Sequence, residues 1–549
     1  MAATYFHGGT VWLGAGVEPA DALIVADGVI VAVGADAARL AAEYALDTVD
    51  LDGGFLMPSF GDGHAHPLLG GLEAEGPDVR SCASVDEIVA EVRRHAETHP
   101  DLEWIQGASY DGSLSPGGLF DAQWLDAAVP DRPVVLRAWD YHTAWCNSEA
   151  LQRAGITSAT PDPVLGEIPR RPDGEPLGTL REWGAVDLAL GACPPRGEEV
   201  RLRALQRAAE YYLARGVTWV QDAWVEPDDV DTYVEASRRG ILNLRVNLAL
   251  YADPRRFDAQ LPGMIEARGR VEALGDPLLS ARTVKFFADG VIENETGALL
   301  EPYCSGLHDH GMRVWEGDSL AEAVRAVDAA GFQIHIHAIG DAAVRQGLDA
   351  IEHAARCNGP RDRRPVVAHV QLVDDADLSR FAALGVIACM QPLWAQQDSL
   401  MTVLTTPRLG QERSDRQYRI RSLLDDGALL SFGSDWPVSS GAPLDGLAVA
   451  TSRQTSDGVP DGGWIPAEIV DVPRAIDAYS AAVAHQAFAD GGSAPRGRIA
   501  AGATADLVWL AHDPRDLGPG VFAANPVRAT FLAGTVAYKN VAAASAPTR

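Results

Sequence analysis

The chain has 549 residues, 47% of them apolar, which is enough for one large core plus a smaller one and excludes a disordered or fibrous polypeptide. With 45 Lys and Arg against 76 Asp and Glu the formal charge is −31, a field that repels nucleic acid and anionic membrane and weighs against partners of either kind. No apolar run approaches the roughly 18 residues of a membrane helix; the first basic residue is Arg39, too late for a secretory leader, and the six scattered cysteines form no CxxC pair, so a cytoplasmic protein with reduced thiols is expected.

In chain order, residues 4–57 alternate in the manner of strands, and Asp27-Gly28 sits where a tight hairpin needs positive φ. Near the other end 497–499, 505–510 and 528–534 resume strand character after a helical stretch. Each terminal segment is too short to bury a face alone, which predicts one composite β-sandwich domain from 1–57 and 490–549. Between them short apolar runs alternate with amphipathic helical patterns, as in βαβ units on a parallel sheet. Strands are predicted at 53–60, 217–223, 243–250, 283–289, 333–339, 365–370, 386–391 and 429–434. Eight such strands close a barrel, placed over 58–489. The long gap from Pro67 to Gly216 predicts an insertion, largely 70–215, with strand-like runs at 102–107 and 133–138 and a helix over Ser84–Glu97. The expected fold class is therefore α/β: a (β/α)8 TIM-like barrel with a composite β-sandwich and an inserted α/β cap over its mouth.

In such a barrel the carboxyl ends of all strands open onto one face, so residues distant in sequence converge there. Six candidates sit at or just beyond the ends of apolar runs: His64 and His66 in GDGHAH, Lys285 in VKFFADG, His337 in HIHAIGD, His369 in VVAHV and Asp435 in SFGSD. Alternate residues of an extended strand point the same way, so His64 and His66 can both face one ion, about 2.0–2.1 Å away for zinc. His337 and His369 raise the imidazole count to a set that holds a divalent metal and leaves a position for water, with His335 deeper behind His337. Asp435 adds a carboxylate able to ligate and to accept the proton of an attacking water. For Lys285 two readings stay open: a buried neutral amine converted by carbon dioxide to a bridging carbamate, or a lysine paired with Asp289 or Glu293. Trp139, His142 and Trp145 in one short stretch of the cap, with Trp394 and Trp436 near strand ends, read either as aromatic packing or as contacts to a small-molecule substrate with an apolar or aromatic group, His142 assisting at its carbonyl oxygen.

Taken together, MPSFGDGHAH at 57–66, HAIGD at 337–341, GSDWPV at 433–438 and GRIAAGATADLVWL at 497–510 resemble the amidohydrolase superfamily. CNSEAL at 146–151 leading to Ala154-Gly155-Ile156, GTLRE at 178–182 and the run 285–290 are similar to the branch that contains the N-substituted formamide deformylases. The resemblance covers nearly the whole chain. It implies one or two divalent metals, usually zinc, held by His64, His66, Lys285 as a carbamate, His337, His369 and Asp435, with Asp435 also the base. The activity it implies is hydrolysis of a non-peptide C–N bond, and a homodimer is the default assembly. An ester, lactone, carbamate or amidine could be attacked at the same centre, and a non-catalytic binding protein is the third reading. The chain departs from the branch at Asp140-Tyr141-His142, often Asp-Gly-His, and at Cys146-Asn147-Ser148, often Val-Asn-Ser, so pocket detail and substrate do not carry over.

Overall fold

In the computed structural model, which describes residues 3–305 and 309–540, eight parallel strands follow one another in chain order around a barrel. They are β1 (Phe60–Ala65), β2 (Val217–Val225), β3 (Arg245–Tyr251), β4 (Leu279–Phe287), β5 (Gln333–Ala338), β6 (Val366–His369), β7 (Ile387–Met390) and β8 (Leu429–Phe432). Strand alternation decides what each face carries. In β5, Ile336 lies against Gly347 of the helix Asp341–Asn358, so the outward residues pack under helices while His335 and His337 face inward. β8 and β1 are the two ends of the strand order, and their junction closes beyond the strands, where Asp435 N donates to His64 O at 2.7 Å and His66 N to Trp436 O at 2.7 Å.

The first strand differs from expectation. Residues 53–60 do not form one barrel strand: Phe55–Pro58 pairs antiparallel with Leu507–Leu510 in the sandwich, and β1 begins only at Phe60. The backbone changes partners at Ser59, whose N–H bonds Asp506 O, while Phe60 N–H bonds Gly216 O. The sandwich has a four-stranded sheet from residues 3–50 and a five-stranded sheet from Thr10–Val11, Phe55–Pro58, Leu507–Leu510, Val527–Leu532 and Thr535–Lys539. Phe6, Leu23, Ile30, Leu56, Leu507 and Phe531 share its core. The hairpin turn holds Asp27 and Gly28 at φ 49° and 80°, as its sequence demands. Residues 497–499 form a bend and not a strand, with Gly497 at φ 76°.

The insertion carries its own sheet, in the order Thr179–Arg181, Thr143–Cys146, Val134–Ala138, Ile105–Tyr110, so both predicted strands exist, the first shifted by three residues. Helix Val85–Thr98 starts where Ser84 Oγ accepts the Glu87 N–H at 3.2 Å. A second mouth element, for which the sequence reading had no counterpart, runs from a π turn at Met401–Thr405 through Thr406–Leu409 and Gln411–Ser414. Among the described residues no helix is long and apolar enough to cross a membrane.

The tightness of the β8–β1 junction is open to test at Gly433, where an added Cβ would lie 2.6 Å from His64 N. Because that neighbour is backbone, Gly433→Ala is expected to cost about 1–3 kcal/mol, read as a lower urea midpoint with an unchanged slope.

Candidate metal centre

At the mouth the end of β1 delivers His64 and His66, β4 Lys285, β5 His335 and His337, β6 His369, and the turn after β8 Asp435. All seven are buried. His64, His369 and Asp435 each offer a ligand atom within 4.8 Å of the others. His66 joins them through Asp435, Nε2 to Oδ1 at 2.8 Å, and His337 lies ring to ring with His369, centroids 4.5 Å apart. Lys285 Nζ is 3.3 Å from His64 Nε2. The ion-pair reading of this lysine does not hold, because the two carboxylates proposed for it are used elsewhere. Asp289 accepts the backbone N–H groups of Ala298, Ile339 and Gly340 at 2.8–3.0 Å, and Glu293 accepts the Thr405 hydroxyl.

Neighbouring groups decide which ring nitrogen faces inward. His369 Nδ1 donates to Gln391 Oε1 at 2.7 Å, leaving the Nε2 lone pair free; His337 Nε2 donates to the Gly290 carbonyl at 3.1 Å, leaving Nδ1. His64 Nδ1 bonds His335 Nε2 at 2.7 Å. Asp435 and His369 hold φ of 56° and 76°, and Val370 beside them 48°, positions that cost side-chain-bearing residues on the order of 1–3 kcal/mol each and cluster where the surroundings overdetermine them.

Burial sets the charge state. It pushes His369 down to about 3 and His64, His335 and His337 well below the usual imidazole range, with the Lys285 or His369 charge adding to it; His66 is lowered less because Asp435 opposes burial. Burial also brings Lys285 down to about 7, the amine form that carbamate chemistry needs, although Asp435 pulls the other way. For Asp435 burial acts upward, but the hydrogen bond and charge of His66, then His369 and Lys285, hold it below the usual carboxylate range. Neutral imidazoles around one carboxylate are the donor set of a zinc-class cation. The fit extends to His66 Nδ1 and His335 Nδ1, buried without a hydrogen-bond partner among the described residues.

Above the cluster lies a cavity of about 230 Å³. Trp139, Val291, Ile339, Leu393, Trp394 and Met401 form its apolar wall, and Trp394 stacks on His369 at 5.4 Å with 3° between planes. The cap contributes His142, 5.4 Å ring to ring from His337, with its Nδ1 donating to Glu182 Oε2 at 2.7 Å. Glu182 is itself oriented by Thr296 and Asn294. Trp145 and Trp436 do not line this cavity. Trp145 is three residues from His142 on an extended segment, so it leaves by the opposite face into the cap core against Phe120 and Tyr110. Trp436 stacks on Tyr211 at 4.5 Å outside the cavity.

A sequence profile of the amidohydrolase family matches residues 47–538. The chain belongs to the amidohydrolase family. Relatives that span most of its length include the protein LONG AFTER FAR-RED 3 of Arabidopsis thaliana, 32% identical over 89% of this chain and 83% of its own, and the N-substituted formamide deformylase of Arthrobacter pascens, 28% identical over 95% of each. In fold it is similar to an uncharacterized metal-dependent hydrolase from Pyrococcus horikoshii OT3, TM-score 0.74 at 23% identity, covering 94% of this chain and 99% of that one.

Sequence patterns assign no role to Glu182 or Gln391, which hold His142 and His369, or to Asp62, whose Oδ1 accepts the His64 N–H at 3.2 Å. Glu182 and Asp62 each lie inside a quoted motif, GTLRE and GDGHAH, so a signal was present; Gln391 follows β7 with none. The His142–Glu182 pair predicts a distinct titration. Burial alone would depress His142, but Glu182 and then Asp140 outweigh it and raise the ring above its usual 6.5. The pair therefore stabilises the fold fully below the unfolded value, and that contribution fades as pH rises through the raised one. Histidine NMR should find His142 titrating above 6.5 in the parent and below it in Glu182→Gln; an unmoved titration would remove Glu182 as the cause.

Proposed function

We propose that the protein is a metal-dependent hydrolase of a non-peptide C–N bond, with an N-substituted formamide carrying an apolar or aromatic group as the preferred substrate class. The observation that carries this reading is the set of buried, uncharged imidazoles around Asp435 at the base of an aromatic-walled cavity. The name of the Arthrobacter relative supports the bond class. One or two zinc ions, held by His64, His66, His337, His369 and Asp435 with Lys285 as a carbamate, would supply a lowered pKa for water and polarisation of the substrate carbonyl.

The residues of the chain divide the remaining work. Trp394, Leu393 and Met401 take the apolar group and exclude water. Trp139 adds to the same wall, its indole Nε1 buried without a hydrogen-bond partner among the described residues. His142, its Nδ1 fixed on Glu182, presents Nε2 to the carbonyl oxygen as negative charge develops there. Asp435, kept ionised, accepts a proton as the water oxygen bonds the carbonyl carbon, then returns it to nitrogen as the C–N bond breaks. Acid and amine leave, and the aspartate is again a carboxylate.

Formate release from N-benzylformamide tests the reading. Chelation should abolish turnover and zinc restore it, and Asp435→Ala should lower kcat by about 10²–10⁴-fold with the circular dichroism spectrum unchanged. Full activity in the chelated protein, or in Asp435→Ala, would overturn it.

A further inference from the structure

Seven of the eight strand junctions of the barrel are hydrogen-bonded ladders, and the eighth, between β8 and β1, has none among the described residues. Yet the metal-site geometry spans this junction: β1 carries His64 and His66, the turn after β8 carries Asp435, and the separations that matter are 2.8 Å from His66 and 3.4 Å from His64 to Asp435 Oδ1. Two backbone bonds at the mouth hold the junction, Gln486 of the helix Ala481–Gln486 bridges Gly63 O and Ser431 Oγ, and one β1 side chain bonds backbone on both sides of it.

That side chain is Asp62, two residues before His64 and buried. Its Oδ1 accepts the N–H of His64 at 3.2 Å on its own side and of Ser434 at 2.9 Å on the other. Its Oδ2 accepts the Ser434 hydroxyl at 2.5 Å and the Tyr212 hydroxyl at 3.1 Å from the helix Glu198–Leu213. Asp62 thus bonds the backbone of one proposed metal ligand and of the residue immediately before another. A carboxylate suits this place because it meets four donors with acceptors alone.

We propose that Asp62 is a positioning residue: by clamping His64 to Ser434 across the unladdered junction it sets the spacing of the β1 histidines from Asp435, and with it the affinity for metal. This rests on the metal-site reading above. It separates two roles that a buried aspartate could have, because the clamp acts through accepted hydrogen bonds. In Asp62→Asn the amide oxygen still serves the two backbone N–H groups, and the amide nitrogen faces two hydroxyls that rotate to accept. In Asp62→Ala both sides are lost.

Zinc affinity, measured by competition with a chromophoric chelator and by metal content of the full-length protein, decides the point beside thermal unfolding of the metal-free forms. Asp62→Ala should bind zinc about 10–100-fold more weakly, the usual effect of removing a group that orients ligands, while Asp62→Asn stays near the parent. Ser434→Ala, which keeps the backbone bond and loses the hydroxyl, should weaken zinc in the same direction with little change in metal-free melting, and it decides the matter if Asp62→Ala does not fold. Parent-like zinc affinity in folded Asp62→Ala, or in Ser434→Ala should that variant have to decide, overturns the clamp, as does an Asp62→Asn loss as large as that of Asp62→Ala. A parent protein that binds no zinc overturns the metal reading itself, and the clamp with it.

Discussion

One carboxylate in a buried space shared with five imidazoles and a lysine is the constraint on which the rest of this molecule turns. His64, His66, His335, His337 and His369 cannot be protonated together there, since burial opposes each charge and the charges oppose one another. Only Asp435 is favoured in its ionised form, and it is favoured because the bases surround it. Such a cluster carries little charge of its own, and on the proposed reading a divalent cation supplies what is missing. Lys285 fits the same logic: burial brings it down to about 7, and no carboxylate is bonded to it among the described residues, so its neutral amine is within reach.

The surrounding structure keeps these side chains from satisfying one another in unproductive ways. Gln391 and the Gly290 carbonyl each take one nitrogen of a histidine, which commits the other to the centre. Positive φ at His369, Val370 and Asp435 marks the two strand ends where His369 and Asp435 enter the cluster, a conformation that the surrounding contacts must hold. Asp289 does no ligand chemistry of this kind. With three backbone N–H bonds it ties the loop after β4 to the turn after β5, and so holds Gly290 where His337 needs it.

What was legible in the sequence follows periodicity and local chemistry. The barrel strands after the first, the Asp27-Gly28 turn and the helix capped by Ser84 could be read because apolar runs, turn residues and caps are encoded within a few neighbours. The proposed ligand set could be assembled because each member lies at or near the end of an apolar run, and the fold brings those ends to one mouth. The first strand was misread since Phe55–Phe60 is one apolar run, and nothing local says that the chain changes sheets at Ser59. Trp145 and Trp436 were misassigned for a related reason: proximity in sequence to His142 or Asp435 does not fix the face from which a side chain leaves. Glu182 and Gln391 find their histidines only through tertiary contact.

The two halves of the site have different structural origins, and this divides chemistry from selection. Every proposed metal ligand stands on, or just beyond, a barrel strand, where eight strands joined by seven hydrogen-bonded ladders leave little room for a side chain to shift. Much of the cavity wall comes instead from the cap, which supplies Trp139 and His142, and from the segment after β7, which supplies Leu393, Trp394 and Met401, with Val291 and Ile339 added by the loops after β4 and β5. These segments can exchange residues without moving the strand ends beneath them. On the proposed reading, reactivity toward a carbonyl centre therefore belongs to the barrel strands, whereas the shape of the group beside that centre is set mainly by the cap and the segment after β7. The departures at Asp140-Tyr141-His142 and Cys146-Asn147-Ser148 both fall in the cap, but only the first reaches the cavity, through Asp140 and His142, whereas Cys146 and Asn147 are buried inside the cap itself.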